Sequence, residues 1–155
     1  MKNIIVSLIV LFTIFSYAPN KVAEKPHVFK IGTKFTIALI KKGSKTYKLS
    51  ILSEEDINYS VDYSETDSLF SPNPIAGTIE GVFAKGIDQE GPFKSVLIIR
   101  NNTKYAIDYK AKIAYNSSGK FYSTSISGLY PGAKSSELWN DKLTAIILHD
   151  FVKMK

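Results

Sequence analysis

Residues 106–115 alternate without a break. Ile107, Tyr109, Ala111, Ile113 and Tyr115 share one parity, and Asp108, Lys110 and Lys112 share the other. Successive side chains of a strand point to opposite faces, so this period of two predicts a strand with one face in a core and one in water. A helix would scatter the same residues around its whole circumference. Such a strand cannot stand alone, because its apolar face has to be covered by a second layer. Tyr109 and Tyr115 are accordingly expected in the core.

The rest of the chain supplies partners. Residues 34–41 (KFTIALIK) are apolar on both faces, Gly43-Ser44 makes a turn, and Tyr47, Leu49 and Ile51 return as the second arm of a hairpin. Residues 78–85 (TIEGVFAK) read as a strand in which Gly81 marks a bulge. Residues 95–100 (SVLIIR) read as a central strand, Asn101-Asn102-Thr103 as a turn, and residues 121–127, 135–139 and 143–152 as later strands. Trp139 is expected to plug an end of the structure. Between residues 53 and 73 lies a polar stretch that is long for a connection within one domain. A short edge strand is expected near residues 58–63, and Ser53-Glu54-Glu55-Asp56 could cap one helical turn. The expectation is an all-β chain, an antiparallel β-sandwich of seven or eight strands, with a barrel as the alternative.

The N-terminus is of another kind. Lys2 precedes an apolar run over residues 4–15, and Ser16-Tyr17-Ala18 follows, the pattern of an export signal over residues 1–18. Pro19 makes cleavage after Ala18 awkward, so the leader is either cut nearby or kept as a short anchor. Residues 19–33 then read as a linker or first short strand, and residues 34–155 as a single sandwich domain. The chain has no cysteine, which excludes an acylated-cysteine lipoprotein, disulfides and a thiolate metal site. The expected location is periplasmic or secreted. If the leader stays uncut, membrane contact is expected only through it.

The formal charge is +6, and removing Lys2 with the leader leaves +5. Every cation but Arg100 is a lysine. Arginine, with its two-pronged guanidinium, is the usual reader of phosphate and guanine, so nucleic acid is not an expected partner. Dispersed lysine fits a solubilising surface, or one that meets acidic polymers at an envelope.

Leu97-Ile98-Ile99-Arg100-Asn101-Asn102, followed by Tyr105-Ala106-Ile107-Asp108-Tyr109, resembles the strand–Asn–strand unit of immunoglobulin-like and fibronectin-III-like sandwiches found in many exported bacterial proteins. The resemblance covers about a quarter of the chain. It implies architecture and carries over no functional residue.

Chemistry is sparse. His149 and Asp150 are neighbours on one strand, which should aim them at opposite faces and prevent a Ser-His-Asp arrangement. Asp62, Glu65 and Asp67 offer oxygen ligands that calcium could use, though without EF-hand spacing, and no cofactor is otherwise expected. Carboxylates of residues 54–67 could alternatively form the acid and base pair of a carbohydrate hydrolase. Tyr59, Tyr63 and Tyr130 are candidates for binding a sugar or protein surface. Asn58, Asn101 and Asn116 stand in Asn-x-Ser/Thr sites. The functional expectation is a non-enzymatic binding or structural module whose partner is an envelope protein or glycan.

Overall fold

The computed structural model describes residues 25–64, 66–87, 94–115 and 119–155. These form ten strands: β1 (Phe29–Lys30), β2 (Thr33–Lys41), β3 (Thr46–Asp56), β4 (Val61–Asp62), β5 (Thr78–Ile87), β6 (Lys94–Asn101), β7 (Ile107–Ala114), β8 (Tyr122–Thr124), β9 (Lys134–Trp139) and β10 (Ala145–Lys153). One 3₁₀ turn, Asp67–Leu69, is the only helical element among the described residues. The strands run in the order β8-β7-β10-β3-β2-β5-β6-β9, all antiparallel, with β1 beside β10 and β4 parallel to β5. The count exceeds the expected seven or eight by β1 and β4, two-residue strands that fall where a first short strand (residues 19–33) and a short edge strand (residues 58–63) are expected.

The path turns a corner where β10 meets β3. Only Phe151↔Tyr47 and Val152↔Thr46 pair there. Beyond that corner, the inward parity of β7 and β10 faces the inward parity of β2, β5 and β6. Tyr109, Ala111, Ile113, Ile146 and Leu148 share one core with Phe35, Ile37, Ile79, Phe83, Leu97 and Ile99. Phe29 of β1 stacks on Phe35 of β2, centroids 4.1 Å apart, although the two strands are not paired. Two packed layers of antiparallel strands are consistent with a β-sandwich. Across the open side, Trp139 Nε1 of β9 donates to Thr124 Oγ1 of β8 at 3.1 Å, drawing the two ends of the path together.

The long polar stretch resolves into two parts. Residues 53–56 form no helical turn. They continue β3, with Ser53, Glu54, Glu55 and Asp56 opposite Thr36, Phe35, Lys34 and Thr33, because a waiting strand satisfies their backbone more fully than one isolated turn could. The remainder crosses the outer face of β5 and β6. There Val61, Leu69 and Phe70 cover Val82, Ala84, Val96 and Ile98 in a second core. This cover explains why β5 and β6 are apolar on both faces.

Gly81 is not at a bulge, since β5 keeps register with β2 and β6 throughout. It sits directly opposite Phe35, whose ring lies where a Cβ would be. The bulges are elsewhere. Leu52 is the extra residue of β3 against β2, and β10 gains one residue between His149 and Val152. Tyr115 also departs from expectation. The strand ends at Ala114, and Tyr115 is 42% exposed against Tyr122, centroids 5.7 Å apart.

Candidate binding cleft at one end of the sandwich

Strand register separates two ends of the molecule. One gathers the β2–β3 turn, the turn before β5, the β6–β7 loop, residues 126–133 and the end of β10. The other gathers β1, β4 and residues 140–144. A cleft of about 450 Å³ opens at the first end, lined by Leu39, Tyr47, Ala76, Gly77, Asn102–Tyr105 and Ile107.

Its walls are set by buried polar side chains. Asn101 is fully buried, and its Nδ2 donates to Tyr105 O (2.8 Å) and Leu129 O (3.0 Å) while its Oδ1 accepts from the Thr103 amide (2.9 Å). One side chain thereby satisfies three backbone groups that the turn would otherwise strand away from water. Leu129 in turn exchanges two backbone bonds with Ile107, closing the base of the cleft. This burial also means that Asn101 cannot serve as a glycan acceptor in the folded chain.

A second network joins the turn before β5 to the same loop. Glu80, 7% exposed, accepts from Arg100 Nε at 2.9 Å, from the Arg100 terminal nitrogen, and from Asn102 Nδ2 at 2.7 Å. Arg100 also donates to Ser71 O at 2.7 Å and lies over the Phe70 ring, pinning the cover segment to the sheet. Gly77, at φ +82°, donates its amide to Asn102 O, and Thr78 Oγ1 bonds Ile75 O at 2.6 Å. The turn carrying Ala76 and Gly77 is therefore fastened to the loop carrying Asn102.

Tyr105 lies between two cations. Lys153 Nζ stands 4.1 Å and Lys104 Nζ 5.3 Å from its ring centroid. Such contacts hold ammonium groups close to apolar surface while leaving them able to meet an anion.

Tyr47 also lines a neighbouring hollow of about 680 Å³ at the β10 bulge, with Lys42, Thr46, Asp108, Lys110 and Asp150. Asp150 has φ +54°, a left-handed conformation that Asp tolerates better than most residues. The bulge corrects the expectation for His149. Instead of opposing faces, His149 Nδ1 lies 3.2 Å from Asp150 Oδ2, because an inserted residue breaks the alternation. Lys110 shares that carboxylate at 3.2 Å, and its hydrogen bond is the main reason the Asp150 pKa lies below the usual range.

The residues singled out in sequence are dispersed. Tyr59 is half exposed near β4 and Tyr63 packs on the second core. Tyr130, 62% exposed, sits at the cleft end, away from both. Asp62 accepts from the amide (2.8 Å) and hydroxyl (2.6 Å) of Ser64, and Asp67 pairs with Lys134, which lowers its pKa. Glu65 lies outside the described residues, as does Asn116. Among the described residues no three His, Asp or Glu groups lie close enough to hold a metal ion. Glu54 is tied to His27 at 2.7 Å.

Sequence reasoning missed Glu80, the side-chain role of Asn101, and the cleft residues Tyr47 and Tyr105. An acid inside an apolar strand, with the lone arginine at the end of the next strand, was a signal for the first of these. The others depend on which loops share an end. In comparisons with known proteins, no family model, curated protein or solved structure matches the chain.

Proposed function

We propose that this chain is an exported, immunoglobulin-like β-sandwich acting as a non-enzymatic binding module at the cell envelope, with the end cleft as its binding surface. The cleft carries the reading. Its volume falls within the roughly 300–1,000 Å³ common to ligand pockets, and it combines apolar lining with a few fixed polar groups. Export rests on the pattern of residues 1–18, and the immunoglobulin-like label rests on the resemblance of residues 97–109.

A photoreactive residue at Ala76, in the cleft lining, tests this in the native envelope against the same residue at Asp141 on the opposite end. A discrete adduct from position 76 alone is the expected result. Identical adducts from both positions, or none from either, would overturn the reading. Recovery of the protein solely in the cytosol with its leader intact would remove the envelope from it.

A further inference from the structure

Charge at the cleft end is one-sided. Residues 41–47, 75–78, 102–106, 126–133 and 152–155 contain Lys41, Lys42, Lys45, Lys104, Lys153 and Lys155, and no aspartate or glutamate. Acids border this end without joining it: Glu80 is buried and paired with Arg100, Glu137 accepts the Ser127 amide at 2.7 Å, and Asp108 and Asp150 line the neighbouring hollow, where Asp150 is held by Lys110. Apolar side chains stand exposed at the same end: Ile40 at 53%, Ile75 at 62% and Tyr130 at 62%.

Resting on the reading of this end as the binding surface, we infer that it docks on a lipid bilayer bearing anionic phospholipid headgroups. The lysines come from separate loops around the rim. That spread suits laterally mobile phosphates better than one fixed ligand. Ammonium groups are compact point charges that attract an anionic surface without demanding a set geometry. Exposed isoleucines gain nothing from a hydrated acidic polymer but gain by entering the headgroup boundary, where tyrosine is also at home. Stacking on a sugar is less suited to Tyr105, whose ring is already engaged by Lys104 and Lys153. Phe29, in the first described strand, pairs with Ile146 at the opposite end.

Flotation of the full chain with phosphatidylglycerol vesicles, against phosphatidylcholine vesicles, isolates the anionic part of binding from the leader's. Each lysine near an anionic surface is worth roughly a five-fold change in partitioning. Replacing Lys42, Lys45 and Lys104 by Gln should therefore weaken the anionic preference about 100-fold. The same change at Lys25, Lys30 and Lys142, at the other end, should leave it nearly intact. High salt should abolish the preference, and Ile75→Ser with Tyr130→Ser should lower binding further. No preference for phosphatidylglycerol, or equal losses from both lysine triples, would overturn the inference. So would salt-sensitive binding to a soluble polyanion that ignores the Ile75 and Tyr130 changes. An Ala76 adduct to a protein without vesicle binding would remove the lipid surface while leaving the cleft as the binding surface.

Discussion

Replacing Gly81 by alanine should destabilise the fold by about 3 kcal/mol or more, although alanine is ordinarily the better strand residue by roughly 0.5–1 kcal/mol. The new Cβ would lie 2.1 Å from Phe35 Cζ, 2.5 Å from Cε2 and 2.8 Å from Cε1. Carbon atoms in contact prefer about 3.5–4.0 Å, so the ring would have to retreat by about 1.5 Å. Its retreat is blocked by Phe29, stacked at 4.1 Å, and both rings are buried. The alternatives are overpacking, typically ~1–3 kcal/mol, or expulsion of the Phe35 ring, comparable to the ~3–5 kcal/mol of deleting a buried phenylalanine. Urea unfolding followed by tryptophan fluorescence measures the loss. With m of ~1–3 kcal/mol/M, the midpoint should fall by about 1 M or more at unchanged m. Phe35→Leu shortens the opposing side chain, so the double variant should be less destabilised than the sum of the singles by at least ~1 kcal/mol. A Gly81→Ala protein within about 0.5 kcal/mol of the parent, or strict additivity in the double variant, would refute the close-approach argument.

Glu80→Gln should cost about 3 kcal/mol by leaving the Arg100 guanidinium buried without its carboxylate, read as a lower urea midpoint and faster proteolysis of the cover segment. Asn101→Ala strands three backbone partners and should cost about 2–4 kcal/mol, with hydrogen exchange accelerating first at the Thr103 amide, which loses its acceptor. Tyr109→Phe should be neutral or stabilising by about 1 kcal/mol, because its buried hydroxyl has no hydrogen-bond partner among the described residues. Burial, with smaller contributions from Glu137 and Asp108, raises the Tyr109 pKa. The folded state thus holds its proton where the unfolded chain, titrating near 10, has lost it. Stability should fall as pH rises above about 10, and less steeply in the phenylalanine variant.

Local pattern was enough to place most strands. The alternation of residues 106–115, the two-sided apolar run of residues 95–100 and the Gly43-Ser44 and Asn101-Asn102 turns are short-range signals, and side-chain parity carries them directly into structure. Single insertions defeated that parity. Nothing in His149-Asp150 announces a left-handed residue, yet the bulge there turns two side chains expected on opposite faces into a 3.2 Å pair. Ser53–Asp56 had a plausible helical turn within its own four residues and became strand because Thr33–Thr36 lay alongside. Glycine 81 carried a local meaning, a bulge, and a tertiary one, room for a ring two strands of sequence away; the second prevailed.

By itself the sequence determined the all-β class, the antiparallel β2–β3 hairpin, the absence of disulfides and the lysine character of the surface, because each depends on composition or on residues a few positions apart. Tertiary structure alone decided which loops share an end, that Asn101 and Glu80 bind those loops into a cleft, and that six lysines from separate loops gather around it. Those facts rest largely on contacts between residues distant in sequence, such as Glu80 with Arg100 and Asn101 with Leu129, whose pairing is set by how two layers bury a common core.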